Sequence, residues 1–429
     1  MKTARFKTAL LTLLVAVSLF LSYLLWQGNW QTNSEIGLSP MPTLPASASP
    51  TMKQVTQPVQ IIVSGAAIGR LTAVSLGNPD YQDWLKRLQA IHLSGFHPVP
   101  RLPAKMLPVV EFDFGAMLDH RELMQWIPSL QSSSLSAQGE RVLLYQTSVH
   151  GPVLLGIDSP AGGFVANTDI HGLQFADWVN ASLRGSVWDL WPGTSNSAIP
   201  AAGQTVPELQ YQTTSPLMLS LVYSFFVNPQ VLTRIQEGPA SVIWTDGSRA
   251  VRWEQSNHQL VYEDPNASQG GATGGGSLSQ AVTYIRDHGG AVTGVNLLLD
   301  NFQSDGGTTN TYTFRGYVGG LPILDGSQDF EVQLDNGRVV RFRRPLLNLN
   351  SQIAHKEVHV LSATALADLI HKYEPYAAPS SFTVQMGYRV QPARNRTVWL
   401  MPVYQVSQDG VVMWTFDAQT GKVIHKLNL

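Results

Sequence analysis

The chain has 429 residues, a formal net charge of −2, only 14% charged residues and no cysteine. That length is enough for two or three domains, each of which has to be held by core burial without disulfides. The weak charge excludes the clustered Lys and Arg that nucleic-acid binding needs, and the missing thiols exclude thiolate metal sites, Cys nucleophiles and CxxC redox chemistry.

Residues 9–26 form an uncharged apolar run behind a tip that carries Lys2, Arg5 and Lys7, and no acidic residue precedes Glu35. At about 1.5 Å per residue such a run spans roughly 27 Å, close to the hydrocarbon thickness of a bilayer. It predicts a single transmembrane helix with residues 1–8 as a cytoplasmic tip, 9–30 as the anchor and everything after it outside, because cations resist crossing. Trp26 and Trp30 stand one turn apart where an interfacial aromatic belt would sit. A retained anchor is expected rather than a cleaved signal, since the nearest small-x-small pattern, Ala46-Ser47-Ala48, lies about twenty residues beyond the run. Within the helix, Ser18 and Ser22 make one small row and Thr12 and Ala16 another, so a neighbouring helix can approach closely on either face. Ordinary spanning helices carry small residues too, so these rows alone do not single out a contact.

Residues 31–57 are rich in Pro, Ser, Thr and Ala and read as an extended linker. The first folded block, 58–205, is expected to be α+β. Pro58-Val59-Gln60-Ile61-Ile62-Val63 reads as a strand, as do 109–114 and 141–145, with a helix near 121–127. A helix over 79–90 follows from the spacing of Trp84, Leu85, Leu88 and Ile91, with Asn78 as cap and Pro79 in the first turn.

A second α+β block is expected over 206–350 and a third over 351–429. Residues 241–253 alternate around Asp246-Gly247, a tight hairpin signal, and Asn257-His258 turns the chain again into Leu260-Val261-Tyr262. Leu278, Ala281, Val282 and Ile285 make a helical stripe, with Ser277 and Gln280 as a capping box and Gly289-Gly290 ending it. Leu366, Leu369, Ile370 and Tyr373 repeat that stripe behind Ser362 as cap. Strands follow each stripe, at 291–299, 311–318, 331–334 and 338–342 after the first, and at 381–390, 397–406, 411–416 and 423–424 after the second. The expected architecture of this half is a helix laid on a meandering antiparallel sheet, twice.

Catalytic patterns are missing: there is no HExxH, GxSxG, SxxK or GxxxxGK[ST]. The glycine-rich stretch at 270–276 lacks the following Lys of a phosphate cradle and reads as a loop. His120 with Glu122, or His355 with His359, has metal-ligand spacing on a helix, but 357–361 reads as a strand and no third ligand is evident. Asp113 between Phe112 and Phe114 is expected to face water while the aromatics face the core. Arg338, Arg341, Arg343 and Arg344 crowd one strand, where they either grip an anionic polymer or a partner's carboxylates, or form a solvated face that blunts a sheet edge. No catalytic, cofactor-binding or metal-binding residue is assigned.

Several stretches together resemble the YycH family, accessory membrane proteins of the WalK (YycG) sensor kinase system. They are the apolar start from Leu11 to Trp26, Glu111-Phe112-Asp113-Phe114-Gly115, Phe225-Phe226-Val227-Asn228-Pro229, and Trp244-Thr245-Asp246-Gly247-Ser248-Arg249. Gly320-Leu321-Pro322-Ile323 and Arg343-Arg344-Pro345-Leu346 are similar to a pattern shared with the sister protein YycI, and Phe416-Asp417-Ala418-Gln419-Thr420-Gly421-Lys422-Val423 is similar to PepSY-type sheet endings. The resemblance implies a three-domain extracytoplasmic region, with PepSY/YycI-like units in its C-terminal half. It also implies a membrane helix that joins those of a YycI-like protein and a WalK-type kinase, and a regulatory rather than enzymatic role without cofactor. The alternative function is a membrane-tethered binding module for cell-wall polymer or peptide.

Overall fold

Apolar residues at every second position of short segments require sheets with one face buried, and three antiparallel sheets are what the chain builds among the described residues. The computed structural model describes residues 14, 15, 17, 18 and 49–427, apart from 67–70, 104–105, 133–136, 149–150, 161, 185–187, 193–196 and 268–275.

The first unit runs in chain order through α1 (Met52–Val55), β1 (Gln60–Ser64), β2 (Leu71–Ser75), α2 (Pro79–Ala90), β3 (Leu93–Val99) and β4 (Val109–Leu118). It continues through α3 (His120–Leu123), β5 (Gly139–Tyr145), β6 (Leu154–Ser159), β7 (Gly162–Thr168), α4 (Gly172–Ser182), β8 (Trp188–Leu190) and β9 (Ala198–Pro200). Its sheet has the order β3-β7-β6-β5-β4-β1-β2-β8-β9. The Asn78 side chain accepts from the Asp80 amide and Pro79 fills the first turn, so α2 starts where the sequence predicts and buries Tyr81, Trp84, Leu85 and Leu88. Trp84 meets Trp178 of α4 edge-on at 6.4 Å, and the Arg87 guanidinium lies 4.7 Å from both rings. The helix expected over 121–127 is a single turn at His120–Leu123. Beyond it the chain continues in turns, with the amides of Trp126 and Ile127 both donating to the Leu123 carbonyl, before a short 3-10 segment starts at Pro128.

Strand β10 (Thr205–Thr214) then leads into the central unit: α5 (Met218–Tyr223), β11 (Thr233–Glu237), β12 (Ser241–Thr245), β13 (Ala250–Glu254), β14 (Gln259–Glu263) and α6 (Leu278–Asp287). There follow β15 (Asn296–Ser304), β16 (Thr309–Val318), β17 (Leu321–Pro322), β18 (Phe330–Asp335) and β19 (Arg338–Pro345). The order is β11-β12-β13-β14-β19-β18-β16-β15, with β17 beside β16. The hairpin at Asp246-Gly247 forms as expected, its Asp246 carboxylate accepting from the amides of Ser248 and Arg249. Ser277 and Gln280 close the capping box on α6.

The last unit comprises β20 (Asn348–His359), α7 (Ala363–Tyr373), β21 (Thr383–Pro392), β22 (Thr397–Gln408), β23 (Val411–Asp417) and β24 (Val423–Lys426). Ser362 caps α7 by accepting from Ala365. Here β22 pairs with β21 along one edge and with β10 and β23 on the other, while β20 lies outside β10. The central unit is therefore inserted between two strands, β10 and β20, that pair along their whole length in the C-terminal sheet. The boundaries expected at 206 and 350 fall inside this ribbon.

The units share cores rather than touching at their rims. One apolar cluster runs from Val59, Phe114, Ala116 and Leu118 of the first unit into Leu297, Leu298, Leu299 and Tyr317 of the central one. A second joins Val318 and Ile323 to Leu349, Tyr388 and Leu400. Trp191, fully buried after β8, belongs to the C-terminal core and donates to the carbonyls of Pro379 and Phe382 at 3.0 and 2.9 Å.

No helix among the described residues is long and apolar enough to cross a membrane. The anchor expected over 9–30 lies outside the described residues except for Leu14, Val15, Val17 and Ser18, which are helical and exposed.

Candidate functional site

Alternation along β4, β5 and β6 sends Phe112, Val142, Leu144, Leu155 and Ile157 into the apolar core. The opposite face carries Glu111, Arg141, Leu143 and Asp158, with Ile62 from β1 beside them. The segment after β3 folds back over that face through Pro100, Arg101, Leu102, Met106 and Leu107. Between sheet and segment lies a cleft of about 720 Å³, within the size range of small-molecule sites. Leu102 can lie close to the sheet because Gly163 has no side chain; a Cβ there would come within 3.0 Å of it.

Charge gathers on the floor of the cleft. Arg141 stands in register opposite Asp113 on β4 and Asp158 on β6. Its guanidinium pairs with Asp158 and, at 3.4 Å, with Glu111. Burial pushes the Glu111 carboxyl up to about 7 despite the pull of Arg141, and Asp113 and Asp158 add to the rise. Burial also opposes the charge on Arg141, but Glu111 and Asp158 outweigh it and raise its pKa.

Asp113 departs from expectation: it is 6% exposed and does not face water. Both faces of β4 are covered there, because β15 of the central unit packs across it. Burial pushes its carboxyl up to about 6, partly offset by hydrogen bonds from the Gly115 amide at 2.9 Å and the Gln60 amide at 3.5 Å. Further along the same joint, Arg315 of β16 pairs with Asp300 at 2.9 Å and with Asp329 at 3.7 Å.

The arginines of β19 do not form one surface. Arg338 is exposed. Arg341 lies 3.9 Å from Glu263 and 4.0 Å from Glu331, and Arg343 lies 3.4 Å from the same Glu331, so these two share a ladder of ion pairs along the sheet face. Arg344 points to the other face and is only 2% exposed, over the Phe330 ring at 5.5 Å. Burial lowers its pKa to about 10. Strand alternation divides the cluster that looked continuous in sequence, and Arg344 is closed to any surface partner.

His120 and Glu122 belong to a helix start, where Glu122 and Asp119 form a capping box. His355 and His359 sit on strand β20, exposed. Among the described residues no group of three or more His, Asp or Glu could hold a metal ion. Of the membrane-helix residues, Ser18 is helical and exposed. Thr12, Ala16, Ser22, Trp26 and Trp30 lie outside the described residues, as does nearly all of the 270–276 loop. Sequence reasoning missed the cleft. Its signal was present as charged residues at period two inside apolar strands: Glu111 and Asp113 in β4, Arg141 in β5 and Asp158 in β6.

The class these elements define is a mixed helix and antiparallel-sheet protein of three units, one inserted into another. The family model described as YycH protein, C-terminal domain, matches residues 195–419, more than half of the sequence, and the chain belongs to the YycH family. That span covers the inserted unit and almost all of the sheet that receives it. The fold is similar to the crystal structure of YycH from Bacillus subtilis, with a TM-score of 0.63 and 11% identity over 86% of this chain and 98% of that one. An uncharacterized protein from Eubacterium rectale aligns with a TM-score of 0.33 and 12% identity over 58% of this chain and 95% of that one. No curated protein matches the sequence. The family is one of regulatory accessory proteins of the WalK system, extracytoplasmic and associated with the membrane.

Proposed function

We propose that the chain is a non-enzymatic, single-pass membrane regulator of a WalK-type sensor histidine kinase, and that it acts with a YycI-like partner through contacts between membrane helices. The N-terminus lies in the cytoplasm and the three sheets outside. The observation that carries this reading is the family match over 195–419. The uncharged run over 9–26 behind a basic tip supports the anchor, and its orientation follows from the resistance of cations to crossing.

The small rows, Ser18 with Ser22 and Thr12 with Ala16, are where neighbouring helices approach, and Trp26 and Trp30 anchor the helix at the outer interface. Arg338, Arg341 and Arg343 are available as a secondary contact outside the membrane. Replacing Ser18 and Ser22 together by Leu should weaken crosslinking to the kinase and to the YycI-like protein in membranes, while insertion is unchanged. Undiminished crosslinking to both partners contradicts a contact on that face.

A further inference from the structure

We propose that the cleft of the first unit binds a short peptide with free termini, its ammonium received by Glu111 and Asp158 on the floor and its carboxylate by Arg101 at the mouth. The inference is independent of the helix contacts proposed above, since it concerns a surface of the first unit alone.

Three observations carry it. The cavity of about 720 Å³ has room for a small ligand, and its walls from Ile62, Leu102, Met106, Leu107 and Leu143 offer apolar surface to a peptide's side chains. The charge on its floor is unbalanced: two carboxylates, Glu111 and Asp158, share the single guanidinium of Arg141. With Glu111 ionised the floor carries one more negative than positive charge, and a ligand ammonium beside it balances that charge and favours the ionised form. Arg141 is engaged on both sides by these carboxylates, so it has little left for an anion. Among the described residues lining the cleft, Arg101 is exposed and in no ion pair, and so can receive one at the mouth.

The order of these charges selects a ligand by its polarity. A carboxylate directed inward meets Glu111 and Asp158 and is repelled, while an ammonium directed inward meets both and leaves the carboxylate near Arg101. Amines without an acid gain only the floor, and acids without an amine gain only the mouth. Asp113 is the next residue of β4 on the same face as Glu111 and lies under the central unit, so the floor of the cleft and the joint between the units share one strand.

The test uses the full chain in lipid nanodiscs and titration calorimetry with three probes: trileucine, N-acetyl-trileucine and trileucine amide. Trileucine is expected to bind saturably, acetylation to weaken binding by about tenfold or more, and amidation to weaken it by a smaller factor of about three to ten. Glu111→Gln should remove the preference for the free amine, and Arg101→Gln the preference for the free acid. A thermal melt of each variant confirms that it is folded, and the comparison of the three probes on the unaltered protein needs no variant. Absence of binding by all three probes at millimolar concentration overturns the proposal. So does equal affinity for the free and acetylated peptides, and so does tighter binding of the acetylated acid, which would make the cleft an anion site.

Discussion

The guanidinium of Arg344 donates to the carbonyl of His288, the residue that caps the C-terminal end of α6. A cation there satisfies a carbonyl that the helix leaves without a partner and sits at the negative end of the helix dipole. It ties β19 to α6 across the core of the central unit, beside the ring stack of Phe225, Tyr284 and His288.

The turn after His288 has to leave room for this contact. Gly289 has φ of +95°, and a Cβ built on it would overlap the Arg344 guanidinium. Gly289→Ala is therefore expected to destabilise the protein by about 1–3 kcal/mol, from the positive φ and the displaced arginine together. Arg344→Ala should cost about 3–5 kcal/mol, because it leaves a void and an unpaired buried carbonyl. Arg338→Ala should stay within about 0.5 kcal/mol, as surface substitutions do. Urea unfolding followed by tryptophan fluorescence checks the order. An Arg338 variant as damaged as the Arg344 variant would contradict it.

Trp191 holds the first unit to the last. Trp191→Phe keeps most of the apolar contact but removes the donor that serves the carbonyls of Pro379 and Phe382, at a cost of about 1–3 kcal/mol. Hydrogen exchange should speed up at β21, which follows those carbonyls, and stay unchanged at β12 and β13. Equal acceleration in both places would mean that the change spreads through the whole molecule and that Trp191 is not a local tie.

Acid should stabilise this protein over part of the pH range. Glu111 and Asp113 have folded-state pKa values raised to about 7 and about 6, above those of the unfolded chain. Asp329, in the joint with Arg315, is pushed up by burial to about 6 as well. A raised carboxyl binds its proton more tightly in the folded state, so its contribution is fully present below the unfolded value and is lost as pH rises through the folded value. The melting temperature should then climb as pH falls from about 8 to about 5, with each group contributing on the order of 1–3 kcal/mol. Below about 4 the trend should turn, because hydrogen bonds from neighbouring residues lower the Asp246 and Asp305 pKa values and those contributions are lost on protonation. Asp113→Asn should flatten the climb. A melting temperature that falls steadily from pH 8 to 5 would contradict this account of the buried carboxylates.

Local features of the fold were legible in the sequence and long-range ones were not. The caps Ser277 with Gln280 and Ser362, the Asn78-Pro79 start and the Asp246-Gly247 hairpin depend on residues a few positions apart, and each forms where its spacing predicts. The pairing of β10 with β20 joins segments separated by the whole inserted unit, and no periodicity within either strand reports it. Strand β10 also carries Pro207, Glu208 and Gln210, which hide its alternation. Asp113 defeated the alternation rule for a similar reason: which face of a strand meets water depends on what another unit lays over it. The arginine run of β19 looked like one surface because sequence proximity hides the division of its side chains between two faces.

The claim that most needs testing is that the membrane helix itself conveys regulation. Replacing residues 9–26 in the full-length chain by an unrelated Leu/Ala spanning helix keeps the tip, the linker and the three sheets in place, and WalK-dependent transcription is then measured in cells that lack the native protein. The account predicts that this chimera inserts, accumulates to normal levels and fails to regulate. Regulation equal to that of the unaltered chain would contradict it and move the signal to the sheets outside the membrane.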